Sequence, residues 1–185
     1  MSGEENRMLN NTYLKNPTLA ISCCTLILLS AAAFALTTNT LASGTIANSE
    51  LFNGPATIKM AQIIMNPGDI IPWHYHPGRA YIIVKTGTVT EELGCGGTNQ
   101  YSTGEAFEET TQSVHQVTNM GTTQAELYVT IIVPAGSPTT IYTGGPLCGP
   151  PTNANQCKNG GWTKFNHPRT FSNQGDCIQY VLTGK

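Results

Sequence analysis

Between Ala56 and Thr143 no apolar run reaches helical length before Gly, Pro or Asn cuts it off. ATIKMAQIIM, residues 56–65, ends at Asn66-Pro67-Gly68-Asp69. The next runs, Ile70 to His76 and Ala80 to Lys85, are closed by Pro77-Gly78 and by Thr86-Gly87. Gly supplies positive φ and Pro and Asn favour turns, so each cluster marks a reversal. Further strands are expected at Thr88 to Leu93, Asn99 to Ser102, Ala106 to Glu109, Ser113 to Thr118, Glu126 to Val133 and Thr139 to Thr143. Many short β-rich segments at close spacing predict an all-β barrel or sandwich. Charged residues are only 11% of the chain, which also favours a turn-rich β protein over a helical one. No long helical period is visible.

The chain has 4 histidines, and three lie in these runs. His74 and His76 are two apart on one expected strand. They therefore project to the same face, with Trp73 and Tyr75 on the other. His115 lies in a second run and is trailed by Asn119. Two imidazoles from one strand and a third from a neighbour form a facial set of nitrogen donors. Such a set suits a divalent transition metal: Fe, Zn, Ni, Mn or Cu. The bland alternative is ordinary surface or core histidines, because a bare H-x-H is common by chance.

The flanking residues narrow this. Gly68, His74, His76 and Gly87 fall on the pattern G-x5-H-x-H-x3-E-x6-G, and Gly104, His115 and Asn119 fall on G-x5-P-x-G-x2-H-x3-N. These are the two cupin motifs, and the chain resembles a small exported bacterial cupin over about residues 51–142. The resemblance implies a single double-stranded β-helix (jelly-roll) barrel holding a metal in its mouth on His74, His76 and His115. Thr110 and Gln112 replace the proline and glycine of the second motif. Ala80 stands where the family usually places a fourth, glutamate ligand. A neutral three-imidazole site is then expected, as in the three-histidine dioxygenases of the family. That leans towards oxygenase chemistry. Glu108 and Glu109 are close to His115 and are expected on a solvated rim; the alternative is that one replaces the missing carboxylate. Strand alternation points Ala80, Ile82 and Val84 inward and Tyr81 outward. The pocket is then mainly apolar and suits a small, mostly apolar ligand; a closed core without ligand space is the alternative. Arg79 is expected at the mouth, either solvated or holding an anionic substrate.

Residues 1–42 read as a signal peptide or membrane anchor. Arg7 and Lys15 precede the apolar stretch Thr18 to Leu36, and small residues follow. Ala33-Phe34-Ala35 and Thr40-Leu41-Ala42 both place small residues at −3 and −1 of a cleavage site. The chain is thus expected to be secreted or periplasmic. The alternative is an uncleaved anchor facing out, which would be its only membrane contact. The barrel is expected over 48–147 and a cysteine-containing C-terminal module over 148–185. Outside the signal stand Cys95, Cys148, Cys157 and Cys177. An even count in an exported chain reads as disulfides, and spacing leaves three pairings open. Similarity to exported cupins and to a short CKNGGW…NQGDC module of bacterial secreted proteins implies Cys95 with Cys148 and Cys157 with Cys177. The tail has too few large apolar residues to build a core unaided. A zinc site on Cys157, His167 and Cys177 is the weaker alternative, because the C-x2-C spacing of zinc modules is absent. Pro150, Pro151 and Thr152 to Gln156 read as a linker.

Grouped Lys and Arg are absent and net charge is −2, so no nucleic-acid partner is expected. Three functions remain: a metal-dependent oxygenase-like enzyme, a non-catalytic extracytoplasmic module binding a small molecule or metal, and a structural domain with a relic site. A homodimer is implied by resemblance alone.

Overall fold

The computed structural model describes residues 36–185. The expected signal or anchor lies outside the described residues as far as residue 35. The strands in chain order are β1 (Thr37–Ser49), β2 (Gly54–Met65), β3 (Ile70–Tyr75), β4 (Arg79–Thr86), β5 (Thr88–Leu93), β6 (Thr98–Ser102), β7 (Ala106–Glu109), β8 (His115–Thr118), β9 (Ala125–Pro134) and β10 (Ile141–Tyr142). They form two five-stranded sheets, ordered β1-β2-β9-β4-β7 and β10-β3-β8-β5-β6. Every pairing is antiparallel. The architecture is the expected all-β jelly-roll barrel.

Alternation packs the interior. Ala125, Leu127, Val129, Ile131 and Val133 of β9 are buried while the residues between them are not. They meet Ala80, Ile82 and Val84 of β4, as well as Met65, Val89, Phe107 and Val117. Burying one large aliphatic side chain contributes roughly 1.5–3 kcal/mol. A one-residue slip of β9 would turn its whole apolar set to solvent, so the register is strongly specified. Two motif residues act on turns. Gly87 has φ +81°, and a Cβ there would lie 2.7 Å from Ala125 Cα. Asn119 is fully buried. Its Nδ2 donates to Met65 O at 2.9 Å and Thr123 O at 2.8 Å, and its Oδ1 accepts from Gly121 N at 3.0 Å. It pins the end of β8 to the β2–β3 turn.

Three features differ from the sequence reading. β1 runs through residues left out of the expected barrel, pairing from Thr37 opposite Ile64 to Ser49 opposite Gly54. It is an edge strand, exposed almost throughout. The tail carries a helix, α1 (Gln174–Thr183), whose N-terminus is capped by Asn173 accepting from Asp176 N at 2.9 Å. The expected linker is folded: Ala154–Cys157 is a 3-10 turn in which Asn153 and Gln156 cap each other reciprocally.

The tail packs Phe165, Phe171 and its cysteines into a second small core, with Trp162, Ile178, Tyr180 and Val181 against it. Cys95 is bonded to Cys148 and Cys157 to Cys177, the pairs implied by resemblance. The second bond removes both sulfurs of the alternative zinc site. Asn166 N and His167 N donate to Cys148 O at 3.0 and 3.1 Å, and the His167 ring lies 4.6 Å from that of Tyr75. The tail therefore meets the outer face of the strand whose inner face carries His74. Two disulfides are consistent with an extracytoplasmic location. Among the described residues no helix is long and apolar enough to cross a membrane.

Candidate metal centre

His74 on β3 and His115 on β8 are direct cross-strand partners, brought into register after an irregularity between Ile71 and His74. His76 follows the last residue of β3 on the same face as His74. All three rings are buried, with centroids 4.3 Å apart for His74–His115, 5.0 Å for His74–His76 and 5.5 Å for His76–His115. The expected histidines thus converge at one mouth of the barrel.

The fourth member is Glu109, at the end of β7 in the opposite sheet. It is 5% exposed, which overturns its expected place on a solvated rim. Its register partner on β4 is Ala80, the residue in the motif's glutamate position. Directly opposite residues of an antiparallel pair carry their Cβ atoms about 5 Å apart on one face. The carboxylate missing at Ala80 is therefore supplied by the neighbouring strand, and the site is not the neutral three-histidine set expected. The exposed neighbour Glu108 is ion-paired with Arg79, so Arg79 is not free to hold a substrate.

Each histidine is oriented by a backbone carbonyl. Nδ1 of His74 bonds Pro72 O at 2.7 Å, that of His76 bonds Thr139 O at 2.5 Å, and that of His115 bonds Ser113 O at 2.9 Å. A carbonyl only accepts, so each Nδ1 carries the hydrogen and each neutral ring presents an Nε2 lone pair. Those lone pairs point at a carboxylate. His76 Nε2 is 2.9 Å from Glu109 Oε2, and His115 Nε2 is 3.0 Å from Oε1. In this tautomer His115 Nε2 is a buried atom without a hydrogen bond. Acceptors facing each other at this range repel unless a proton or a cation lies between them.

The metal-free electrostatics follow. Burial alone would raise the Glu109 carboxyl, but hydrogen bonds from His115 and His76 and their charge hold it well below the usual carboxylate range. Burial would lower His115, and the Glu109 hydrogen bond and charge outweigh it, so His115 is raised. Burial and the neighbouring His115 and His76 push His74 down to about 4.

The four donors fit a cation. They are buried, and their ligand atoms all lie within 4.8 Å of one another. Donors at right angles on one ion, with bonds of about 2.1 Å, are about 3.0 Å apart, which is the Glu109–histidine spacing. Nδ1–H bonded to a carbonyl is the usual second-layer support of a ligating histidine.

The cluster opens on a cavity of about 300 Å³. Ile63, Ile71, Ile82, Phe107, Leu127 and Val129 supply much of its wall, and Thr38, Lys59, Thr139, Thr140 and Tyr142 are polar. A closed core without ligand space is thereby excluded. Glu91 was missed as a candidate. It is 4% exposed on β5, held by Asn99 Nδ2 at 3.1 Å and Tyr101 Oη at 3.4 Å, and burial pushes its carboxyl up. Its place two residues after Val89, on the same face of the expected strand, was the available signal.

Two facing antiparallel sheets with a histidine–carboxylate cluster at one mouth define a double-stranded β-helix with a candidate metal centre. Residues 61–133 form a domain that matches the family model described as Cupin domain. Solved structures of similar fold include a cupin-like protein from Thermotoga maritima (15% identity, 71% of this chain and 86% of that chain, TM-score 0.45). Another is a Cupin 2 conserved barrel domain protein from Salinispora arenicola (20%, 54% and 76%, 0.43). A third is an uncharacterized conserved protein with a double-stranded β-helix domain from Klebsiella pneumoniae (15%, 59% and 84%, 0.44). No curated protein matches the chain.

Proposed function

We propose that this chain is an exported, metal-dependent cupin that acts on a small organic molecule by oxygenase-type chemistry. His74, His76, His115 and Glu109 would hold one divalent transition metal. The observation that carries the reading is the opposition of two buried imidazole lone pairs to a carboxylate at 2.9 and 3.0 Å, an arrangement that a cation resolves. Bound there, the metal would supply Lewis acidity and, if it is Fe, Mn or Cu, redox chemistry with dioxygen. The chain's residues do the rest. The carbonyls of Pro72, Ser113 and Thr139 fix the rings. The aliphatic wall excludes water and admits apolar molecules, dioxygen among them. Export is supported by the two disulfides and by the sequence of the N-terminal segment.

The test is elemental analysis of protein recovered after export, beside a His74→Ala/His115→Ala variant. Near-stoichiometric metal in the wild type and its loss in the variant are expected. Little metal in either, after reconstitution, would refute the reading. Metal without oxygen uptake on any small organic acid tried would leave a binding module in place of an enzyme.

A further inference from the structure

Lys59 sits in the cavity wall, and neither the motifs nor the cluster accounts for it. It lies mid-way along β2, on the face shared by Ala61 and Ile63, both of which line the cavity. Across the ladder it is opposite Ile131, and that residue also lines the cavity. Lys59 therefore belongs to the inner face of its sheet, where the other wall positions are mostly aliphatic.

The other cations that flank the barrel are engaged. Arg79 pairs with Glu108, and Lys85 with Glu126 at 2.9 Å. Among the described residues the Lys59 side chain has no ion-pair or hydrogen-bond partner. The acid nearest in function, Glu109, is committed to His76 and His115. Lysine seldom lies against an apolar interior unless it is paired. A cation beside a low-dielectric wall also attracts an anion more strongly than it would in water. The plain alternative is that its stem covers the wall while its ammonium reaches solvent.

We propose that Lys59 is the anchor for the carboxylate of the substrate, which is a small monocarboxylic acid with an apolar body. The inference rests on the proposed metal-dependent reading for the other end of that molecule. The body would lie along Ile63, Ile82, Leu127 and Ile131, reaching towards the histidine–glutamate cluster. One point charge fits one carboxylate. A phosphate ester calls for the forked or multiple donors that arginine clusters provide, and no arginine lines this cavity. A volume of about 300 Å³ is at the small end for ligand pockets, which limits the acid to a few carbons or a single ring.

The probes are hexanoate and its neutral isostere hexanamide, titrated calorimetrically into the metal-reconstituted full chain. Wild type is compared with Lys59→Met and Lys59→Arg. Hexanoate is expected to bind about tenfold more tightly than hexanamide. Lys59→Met should remove that preference, leave hexanamide binding unchanged and keep the metal content of the wild type. Lys59→Arg should keep most of the preference. Equal binding of acid and amide by wild type would overturn the proposal, as would undiminished hexanoate binding by Lys59→Met. The His74→Ala/His115→Ala variant separates the two readings. If it loses metal but still prefers hexanoate, Lys59 stands as an anion anchor without the metal. If wild type takes up no metal yet shows the Lys59-dependent preference, only the metal reading falls.

Discussion

Glu109 and Ala80 face each other across the β4–β7 ladder, so a carboxylate placed at Ala80 is expected to reach the histidines that Glu109 contacts. Glu109→Gln keeps the shape and removes the charge, and it should weaken metal binding at least tenfold by competitive chelator titration. The sharper comparison is Glu109→Ala against Ala80→Glu/Glu109→Ala. The double variant moves the carboxylate one strand across, into space vacated by the first substitution. It should recover much of the lost affinity. No recovery would mean that the inner face at Ala80 does not address the histidines. His74 gives a pH signature in metal-free protein. Its pKa is lowered to about 4 when folded, against 6.5 for the free side chain. The unfolded chain therefore binds the extra proton first, and stability falls as pH drops from about 6.5 towards 4. The loss is up to about 3 kcal/mol. His115 is raised when folded, so its contribution is present below 6.5 and fades as pH rises through its folded value. Thermal melts of metal-free protein should fall through the acidic window, and His74→Gln should flatten that slope. The histidines were legible because i, i+2 spacing has one meaning on a strand. Glu109 was not. Its burial depends on which strand β7 pairs with and in what register, and a sequence of short polar-flanked strands leaves both undetermined.

Elements differ in how much of themselves they show in the sequence. β9 alternates along its whole length because one face is buried, and it was read almost to its ends. β1 has no such constraint. Nearly every residue is exposed, so TTNTLASGTIANS carries no period, and the sequence reading places its first six residues in the leader and starts the barrel only at residue 48. What fixes it is backbone pairing with β2. This bears on processing, since Leu36 packs against the core and Leu36 and Thr38 line the cavity. Cleavage after Ala42 would strip Thr37 to Ala42 from β2 and open that wall. Cleavage after Ala35 leaves β1 whole. If the chain is exported and cleaved as proposed, the mature protein is expected to begin at Leu36, which intact mass and N-terminal sequencing would establish. A mature chain beginning at Ser43 would show that the outer half of β1 is dispensable. In the tail, α1 went unread because it is short and buries little besides Cys177. Its ends were written more clearly than its body, in the cap Asn173, the acidic Asp176 of the first turn and the left-handed Gly184.

At the scale of the molecule the two disulfides do different work. Cys95–Cys148 closes 53 residues and ties the start of the tail to the loop after β5; Cys157–Cys177 closes 20 residues within the tail. In the chain-entropy model these loops are worth roughly 4 and roughly 3 kcal/mol. The barrel has its own extensive core, whereas the tail rests on a handful of aromatic and aliphatic side chains. A loss of about 3 kcal/mol is thus a large fraction of what holds the tail and a small fraction of what holds the barrel. Cys157→Ser/Cys177→Ser is expected to unfold the tail alone. Limited trypsin digestion should then cut at Lys158, Lys164 and Arg169, all exposed, while the barrel survives and keeps the metal content of the wild type. The His167–Tyr75 contact makes the experiment informative in the other direction. Tyr75 backs the strand that presents His74 and His76. If metal is lost together with tail order, the tail braces the ligand strand from outside and belongs to the site as much as the barrel does.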